Sequence, residues 1–285
     1  MNKVYACIDG RATTAAVIDW AAWAAQRLPA PLELLHVLER SPELPNVGDY
    51  TGAIGLGAQE VLLQQLSALD EQRSKLAQQA GRDMLEAASL RAQNAGLPVP
   101  ATHMRHGELV DTLLELEPEL RLCVLGANHR ASGPRKLHLD HHVESVIRAL
   151  QRPVLVATSE HFAPPERFVV AYDASPTARK MVDMVAASPL LRGLPALIAM
   201  VGADTTEAQE QLAAAAELLR VAGFSVQTRL LAGDPEQALP ELLASQGAAL
   251  LVMGAYGHSR IRQLIVGSTT TTLLRLSEVP VLILR

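Results

Sequence analysis

The residues best suited to chemistry lie near the end of the chain, where Gly254, Gly257 and Gly267 lead directly into Ser268 and Thr269. Their spacing is Gly-x2-Gly-x9-Gly-Ser. Gly254 closes an apolar run, and a glycine there lets the backbone turn sharply and approach a ligand with no Cβ in the way. Ser268 and Thr269 suit a helix N-cap. The amides of that helix's first turn have no intrahelical partners and sit at the positive end of its dipole. Together these features make an anion site of a kind that suits phosphate. They make neither a Walker A loop, since no Gly-Lys-Ser/Thr occurs, nor the dinucleotide fingerprint, since no Gly-x-Gly-x-x-Gly follows the first strand. Lys180 is the only lysine after Lys136, so this half is poorly equipped to clamp a phosphate with lysine.

Other groupings carry less. His138, Asp140, His141 and His142, with His103, His106 and His129 elsewhere, are of metal-ligand type. The Asp-His-His triplet resembles that of certain phosphoesterases, but the further strand-end aspartates of those enzymes are not evident. A polar, solvated helix start accounts for it. Ser259 adjoins His258, yet chain neighbours seldom face each other usefully, and no Gly-x-Ser-x-Gly elbow is present. Asp173 with Ser175 reads as a strand-end aspartate followed by a helix cap in Ser-Pro-Thr. Cys7 and Cys123 sit in apolar runs and read as small core residues, not as a disulfide or zinc site.

The elements that must position these residues occur twice. Val4–Asp9 resembles Val169–Asp173, Gly107–Leu116 resembles Gly233–Leu242, Leu122–Ala127 resembles Leu250–Ala255, and Arg152–Ala157 resembles Val279–Leu284, all in the same order. One unit spans 1–158 and the other 166–285, with the polar, proline-rich Ser159–Glu166 as linker. Apolar runs near 3–8, 32–38, 99–104, 121–126 and 153–157 recur near 168–172, 195–201, 225–231, 249–254 and 280–284. Between them lie stretches rich in Ala, Leu, Gln and Glu, such as Ala12–Arg27 and Glu207–Ala222, which favour helix. Buried strands alternating with helices predict an α/β fold: two tandem, doubly wound, five-stranded parallel-sheet domains. Only the first unit carries an extra segment, Ser41–Ala58, before a long helical stretch over Glu60–Ala95.

With the glycine spacing after the fourth strand, an aspartate closing the first, and a Pro-Val-Leu-Ile last strand, the chain resembles the universal stress protein (UspA-like) family, as two domains in tandem. The likeness covers essentially the whole chain and implies the adenine-nucleotide alpha-hydrolase-like fold. In the second unit it implies an ATP site, with or without magnesium. Asp173 would bond near the adenine or ribose, and the Val201 backbone would read the adenine edge. Met253 and Gly254 would line the nucleotide, while Gly257, Gly267, Ser268 and Thr269 would hold the phosphates. It also implies that Val154–Ala157 lies against Val281–Leu284 in an intramolecular pseudo-dimer, and it leaves a homodimer of the whole chain open.

The first unit keeps Gly126 but has His129 at the second glycine, one extra residue, Asp140 in place of Gly267 and His141 in place of Ser268. An aspartate at a helix start is a good cap and fills the anion site with its own carboxylate. A phosphate charge about 4 Å from it meets a penalty of about 1 kcal/mol in water and about 4 kcal/mol at an effective dielectric near 20. The first unit is expected to be a degenerate, structural or partner-binding half.

Composition narrows the rest. In 285 residues, 49% are hydrophobic and 19% charged, which supplies buried cores and argues against intrinsic disorder. Aromatics at 3% and a net charge of −5 without a basic run argue against nucleic acid or anionic lipid as a partner. No apolar run reaches the ~20 residues of a membrane helix, and Asp9 and Arg11 break the first apolar stretch, so a cleavable signal is not expected. The expectation is a cytoplasmic, nucleotide-dependent stress-response module with an unidentified protein partner and no dedicated catalytic residue, capable at most of slow ATP hydrolysis. The alternative is a nucleotide-independent scaffold that binds partner proteins through the Ser41–Ala58 insert and the sheet edges.

Overall fold

In the computed structural model, which describes residues 2–39, 56–127, 141–255 and 268–285, the apolar runs become strands and the stretches between them helices. The first half is β1 (Lys3–Cys7), α1 (Thr14–Arg27), β2 (Leu32–Leu38), α2 (Leu56–Asn94), β3 (Ala101–His106), α3 (Leu109–Leu116), β4 (Leu120–Gly126), α4 (His141–Ala149) and β5 (Val154–Ala157). The second repeats the order: β6 (Arg167–Ala171), α5 (Pro176–Ala187), β7 (Ala196–Val201), α6 (Thr206–Val221), β8 (Val226–Leu231), α7 (Pro235–Ala244), β9 (Ala249–Gly254), α8 (Ser268–Leu276) and β10 (Val281–Leu284). The segment Ser41–Ala58 lies outside the described residues up to Gly55, and α2 takes in its last three residues.

All strands join one sheet, in the order β3-β2-β1-β4-β5-β10-β9-β6-β7-β8. Pairing is parallel within each half, as in Cys7 with Leu35 and Val170 with Val252. At the centre β5 and β10 run antiparallel, with Leu155 opposite Leu282. The expected apposition of Val154–Ala157 and Val281–Leu284 is therefore a main-chain ladder that relates the halves by a pseudo-twofold axis.

Helices cover both faces, as near-continuous apolar strands require. α1, α2, α5 and α6 bury Trp20, Leu85, Met181 and Leu219 on one face. α3, α4, α7 and α8 bury Leu113, Ile147, Leu242 and Leu274 on the other. The halves are tied further by Arg27 Nε, which donates to Leu190 O at 2.5 Å, and by Arg285, which donates to the carbonyls of Arg148 and Leu150 at 2.8 and 2.9 Å. The linker is irregular, as its prolines predict, and its Phe162 packs edge-on against Trp20 at 4.8 Å.

One strand starts later than its apolar run suggested. The run near 99–104 becomes β3 at Ala101–His106, because Pro98 and Pro100 have no N–H for the ladder. Pairing with β2 begins at Ala101 opposite Glu33, and Val99 is left exposed.

Candidate functional site

In each half the strand order reverses between the first and fourth strands, and ligands of such folds lie in the crevice beyond the carboxyl ends at that point. In the second half those strands are β6 and β9. Asp173 lies just past the end of β6, Gly254 is the last residue of β9, and Val201 ends β7 on the far side of β6. α8 opens at Ser268, with Thr269 next, and runs back towards the start of β10. The expected residues thus gather at one edge, except Gly257 and Gly267, which lie outside the described residues.

Their local roles are specific. Asp173 Oδ1 accepts from the Ser175 amide at 3.0 Å, an Asx turn that leads into α5. Ser175 Oγ then accepts from the Ala178 amide at 3.1 Å, with Pro176 in the first turn, so the Ser-Pro-Thr reading as a cap holds. Between them Ala174 has φ +56, in the left-handed region, where its counterpart in the first half is Gly10 at φ +71. Val201 is half-buried, and the next amide, Gly202, donates to Leu231 O at 2.9 Å. Met253 is 4% exposed, with its side chain in the core shared with α7 and α8, so any contact it makes at the edge is by backbone.

Sequence reasoning missed Thr177. A Cβ on Gly254 would come within 3.1 Å of Thr177 Cγ2, so this glycine already has a packing reason to be small. In the first half Gly126 stands against Thr13 more tightly still. The repeat that could have found it was in the sequence: Thr13 and Thr177 each lie four residues beyond Asp9 and Asp173.

The matching edge of the first half holds a cavity of about 170 Å³, lined among others by Asp9, Arg11, His36, Glu39, Gly126 and His142. Asp9 repeats the Asx turn, accepting from the Arg11 amide at 3.0 Å and from Thr14 Oγ1 at 2.8 Å. His142 Nδ1 lies 3.4 Å from Glu39 Oε1. His36 is buried, with Nδ1 2.6 Å from Ile8 O. Asp140, His129 and His138 lie outside the described residues. Among the described residues no cluster of metal-ligand type forms. Cys7 and Cys123 are buried free thiols whose sulfurs stand 3.7 Å apart.

Among the described residues a charge cluster lies at the opposite, amino edge of the first half. Glu33 accepts from Lys3 at 2.7 Å and contacts His103 Nε2 at 2.6 Å, while Glu119 takes Lys3 at 2.8 Å and the Tyr5 hydroxyl at 3.1 Å. Burial alone would push the Glu33 carboxyl upward. Hydrogen bonds from Lys3 and His103 outweigh it and hold Glu33 below the usual carboxylate range. Hydrogen bonds to Glu119 and Glu33 push the Lys3 ammonium up. This network ties β1, β2 and β3 together and is remote from the candidate site.

Comparison with known proteins agrees with this architecture. The family model described as the universal stress protein family matches residues 1–158 and again 165–285. Universal stress protein Slr1230 of Synechocystis sp. is 33% identical over 288 residues, covering 100% of both chains. Among solved structures, a universal stress protein from Archaeoglobus fulgidus DSM 4304 superposes with a TM-score of 0.75 at 19% identity, over 100% of this chain and 98% of that one. A second, described as a putative universal stress protein from Pseudomonas aeruginosa UCBPP-PA14, gives 0.61 at 15% identity, over 100% and 93%. Among the described residues no helix is long and apolar enough to cross a membrane. The repeated sheet order, the repeated strand-end aspartates and these matches have one explanation: the chain belongs to the universal stress protein family, as a tandem of two of its domains.

Proposed function

We propose that the second half binds an adenine nucleotide, ATP with or without magnesium, at the carboxyl edge of β6, β7 and β9, and that the first half does not. The observation that carries this is the contrast between two equivalent helix starts. α8 begins Ser268-Thr-Thr-Thr-Thr, with no acidic residue in its first turn. α4 begins at His141, directly after Asp140, and has Glu144 in its first turn. Unpaired first-turn amides attract an anion in the first case, whereas acidic residues in the sequence around the start of α4 disfavour a second negative charge there.

The first-half cavity, about 170 Å³, is well below the roughly 300 Å³ at which ligand pockets begin. Asp173, Val201, Met253 and Gly254 would form the adenosine side of the second-half site, and Gly257, Gly267, Ser268 and Thr269 the phosphate side. Magnesium, if it accompanies the nucleotide, would neutralise phosphate charge in a half that has a single lysine, Lys180. On this reading the site serves as a nucleotide-dependent binding module, with ATP hydrolysis at most slow. A cytoplasmic location suits it, with ATP at hand and both thiols reduced.

Equilibrium dialysis of the full chain against ATP tests the proposal. One nucleotide per chain is expected, lost on Gly267→Glu. Two per chain, or undiminished uptake by Gly267→Glu, would overturn it.

A further inference from the structure

Among the described side chains of α2, those packed against the sheet lie in its second part. Leu85, Ala88 and Ala92 are buried at 5%, 2% and 0% exposure, with the same spacing as Leu212, Ala215 and Leu219 of α6. When the helices are aligned on those residues, the first residue of α6, Thr206, falls on Gln79. Leu56–Gln78 therefore has no counterpart in the second half, and at 1.5 Å per residue it is about 35 Å of additional helix. α2 first meets the sheet at Gly81, where a Cβ would lie 2.9 Å from His36 Cδ2 and 3.0 Å from Met104 Sδ. From Gln64 to Ala80 every residue is exposed except Leu66 and Gln78, which are half-buried.

A helix bathed in water on all sides is marginal by itself, since helices in proteins draw most of their stability from packing an apolar face. This arm has such a face. Leu66, Leu69, Arg73, Leu76 and Ala80 follow a three-four-three-four spacing, the a and d positions of a heptad repeat. Leu69 and Leu76 are 52% and 71% exposed. Glu71 and Lys75 pair at 2.7 Å outside the seam, on the solvated side.

We propose that this seam packs against the same seam of a second copy of the chain, antiparallel, so that α2 is a homodimerisation arm. The charges select the occupant and its direction. A parallel pair would put Arg73 of both copies in one layer of the seam. An antiparallel pair centred between Leu69 and Arg73 sets Leu66 against Leu76 of the partner subunit and Arg73 against Leu69 of the partner subunit. The Arg73 guanidinium then reaches Asp70 of the partner subunit, the next residue along. Each copy supplies one arginine and one aspartate to two equivalent pairs, the self-complementarity that a twofold interface requires.

Sedimentation velocity of the full chain over a concentration series tests this. A reversible monomer–dimer equilibrium is expected. Leu69→Glu with Leu76→Glu is expected to give a folded monomer, with the thermal transition the wild type shows at concentrations too low to dimerise, because both side chains are exposed in the single chain. Arg73→Asp is expected to abolish the dimer, and Asp70→Arg with Arg73→Asp to restore it. A wild-type chain that is monomeric throughout would overturn the proposal, as would a dimer that survives the two glutamates or a double charge reversal that fails to rescue. None of these readouts involves nucleotide, so the result is independent of the ATP site.

Discussion

Thr13 stands against Gly126 in the first half as Thr177 stands against Gly254 in the second. Each threonine opens the helix that follows the first strand, and each glycine ends the fourth, so the pair closes the crevice floor at the point where strand order reverses. A Cβ on Gly126 would overlap Thr13 Oγ1 and lie 2.8 Å from Thr13 Cβ, whereas one on Gly254 would be 3.1 Å from the terminal methyl of Thr177. Gly126→Ala is expected to cost about 3 kcal/mol through overpacking, and Gly254→Ala about 1 kcal/mol or less. Urea denaturation of the two variants measures the difference, and equal losses would contradict it.

Ala174 has the left-handed φ of +56 that Gly10 adopts in the equivalent turn. An L-residue with a Cβ is held there at a cost of about 1–2 kcal/mol, partly offset by the smaller entropy that alanine loses on folding. Ala174→Gly is expected to stabilise the chain by up to about 1 kcal/mol, read as a higher denaturation midpoint. A lower midpoint would mean that the turn carries no strain.

Much of the architecture was legible because burial on both faces writes strands as apolar runs and the duplication checks each run against its partner. The β5–β10 junction was legible from family resemblance, since nothing in Val154–Ala157 itself names Val281–Leu284 as its neighbour. The start of β3 was misplaced because apolarity at Val99 is visible in a sequence more readily than the missing amides of Pro98 and Pro100. At the candidate site, residue types and spacing pointed to one edge of the second half, and Asp173, Val201, Met253, Gly254, Ser268 and Thr269 do converge there. Single residues said less. Gly254 was read as room for a ligand, yet its neighbour Thr177 comes from a different element. Met253 was read as lining, yet its side chain faces the core. The Lys3–Glu33–Glu119 network joins residues from three separate stretches of the chain, and no local pattern announces it.

The Cys123 thiol accepts its shift from two causes, the hydrogen bond to Cys7 and complete burial, and both push its pKa up. Thiolate is the reactive species, so a buried thiol of raised pKa is inert. Neither cysteine is expected to react rapidly with a charged disulfide reagent in the native chain, and both are expected to react once it is unfolded. Prompt native labelling of Cys123 would show that the sheet opens there.

Glu33 gives the chain a defined acid sensitivity. Its folded pKa lies below the ordinary 4.5, so the stability it contributes is fully present above that value. It is lost as pH falls through the lower folded value, when the carboxylate that Lys3 and His103 hold becomes protonated. Lys3 acts in the opposite sense: its folded pKa is raised, so its contribution is complete below its ordinary 10.5 and fades only as pH rises through the folded value. Near neutral pH both are intact. With its side chain only 8% exposed, Glu33 cannot exchange these partners freely for water, and Glu33→Gln is expected to cost about 1–3 kcal/mol there. As pH falls below the ordinary 4.5 and through the lower folded value, the gap between wild type and variant is expected to narrow, because the wild-type carboxyl becomes neutral as well. Denaturant midpoints of both proteins across the acid range measure it. A gap that stays constant from neutral to acid would mean that the loss on substitution is one of shape and not of charge.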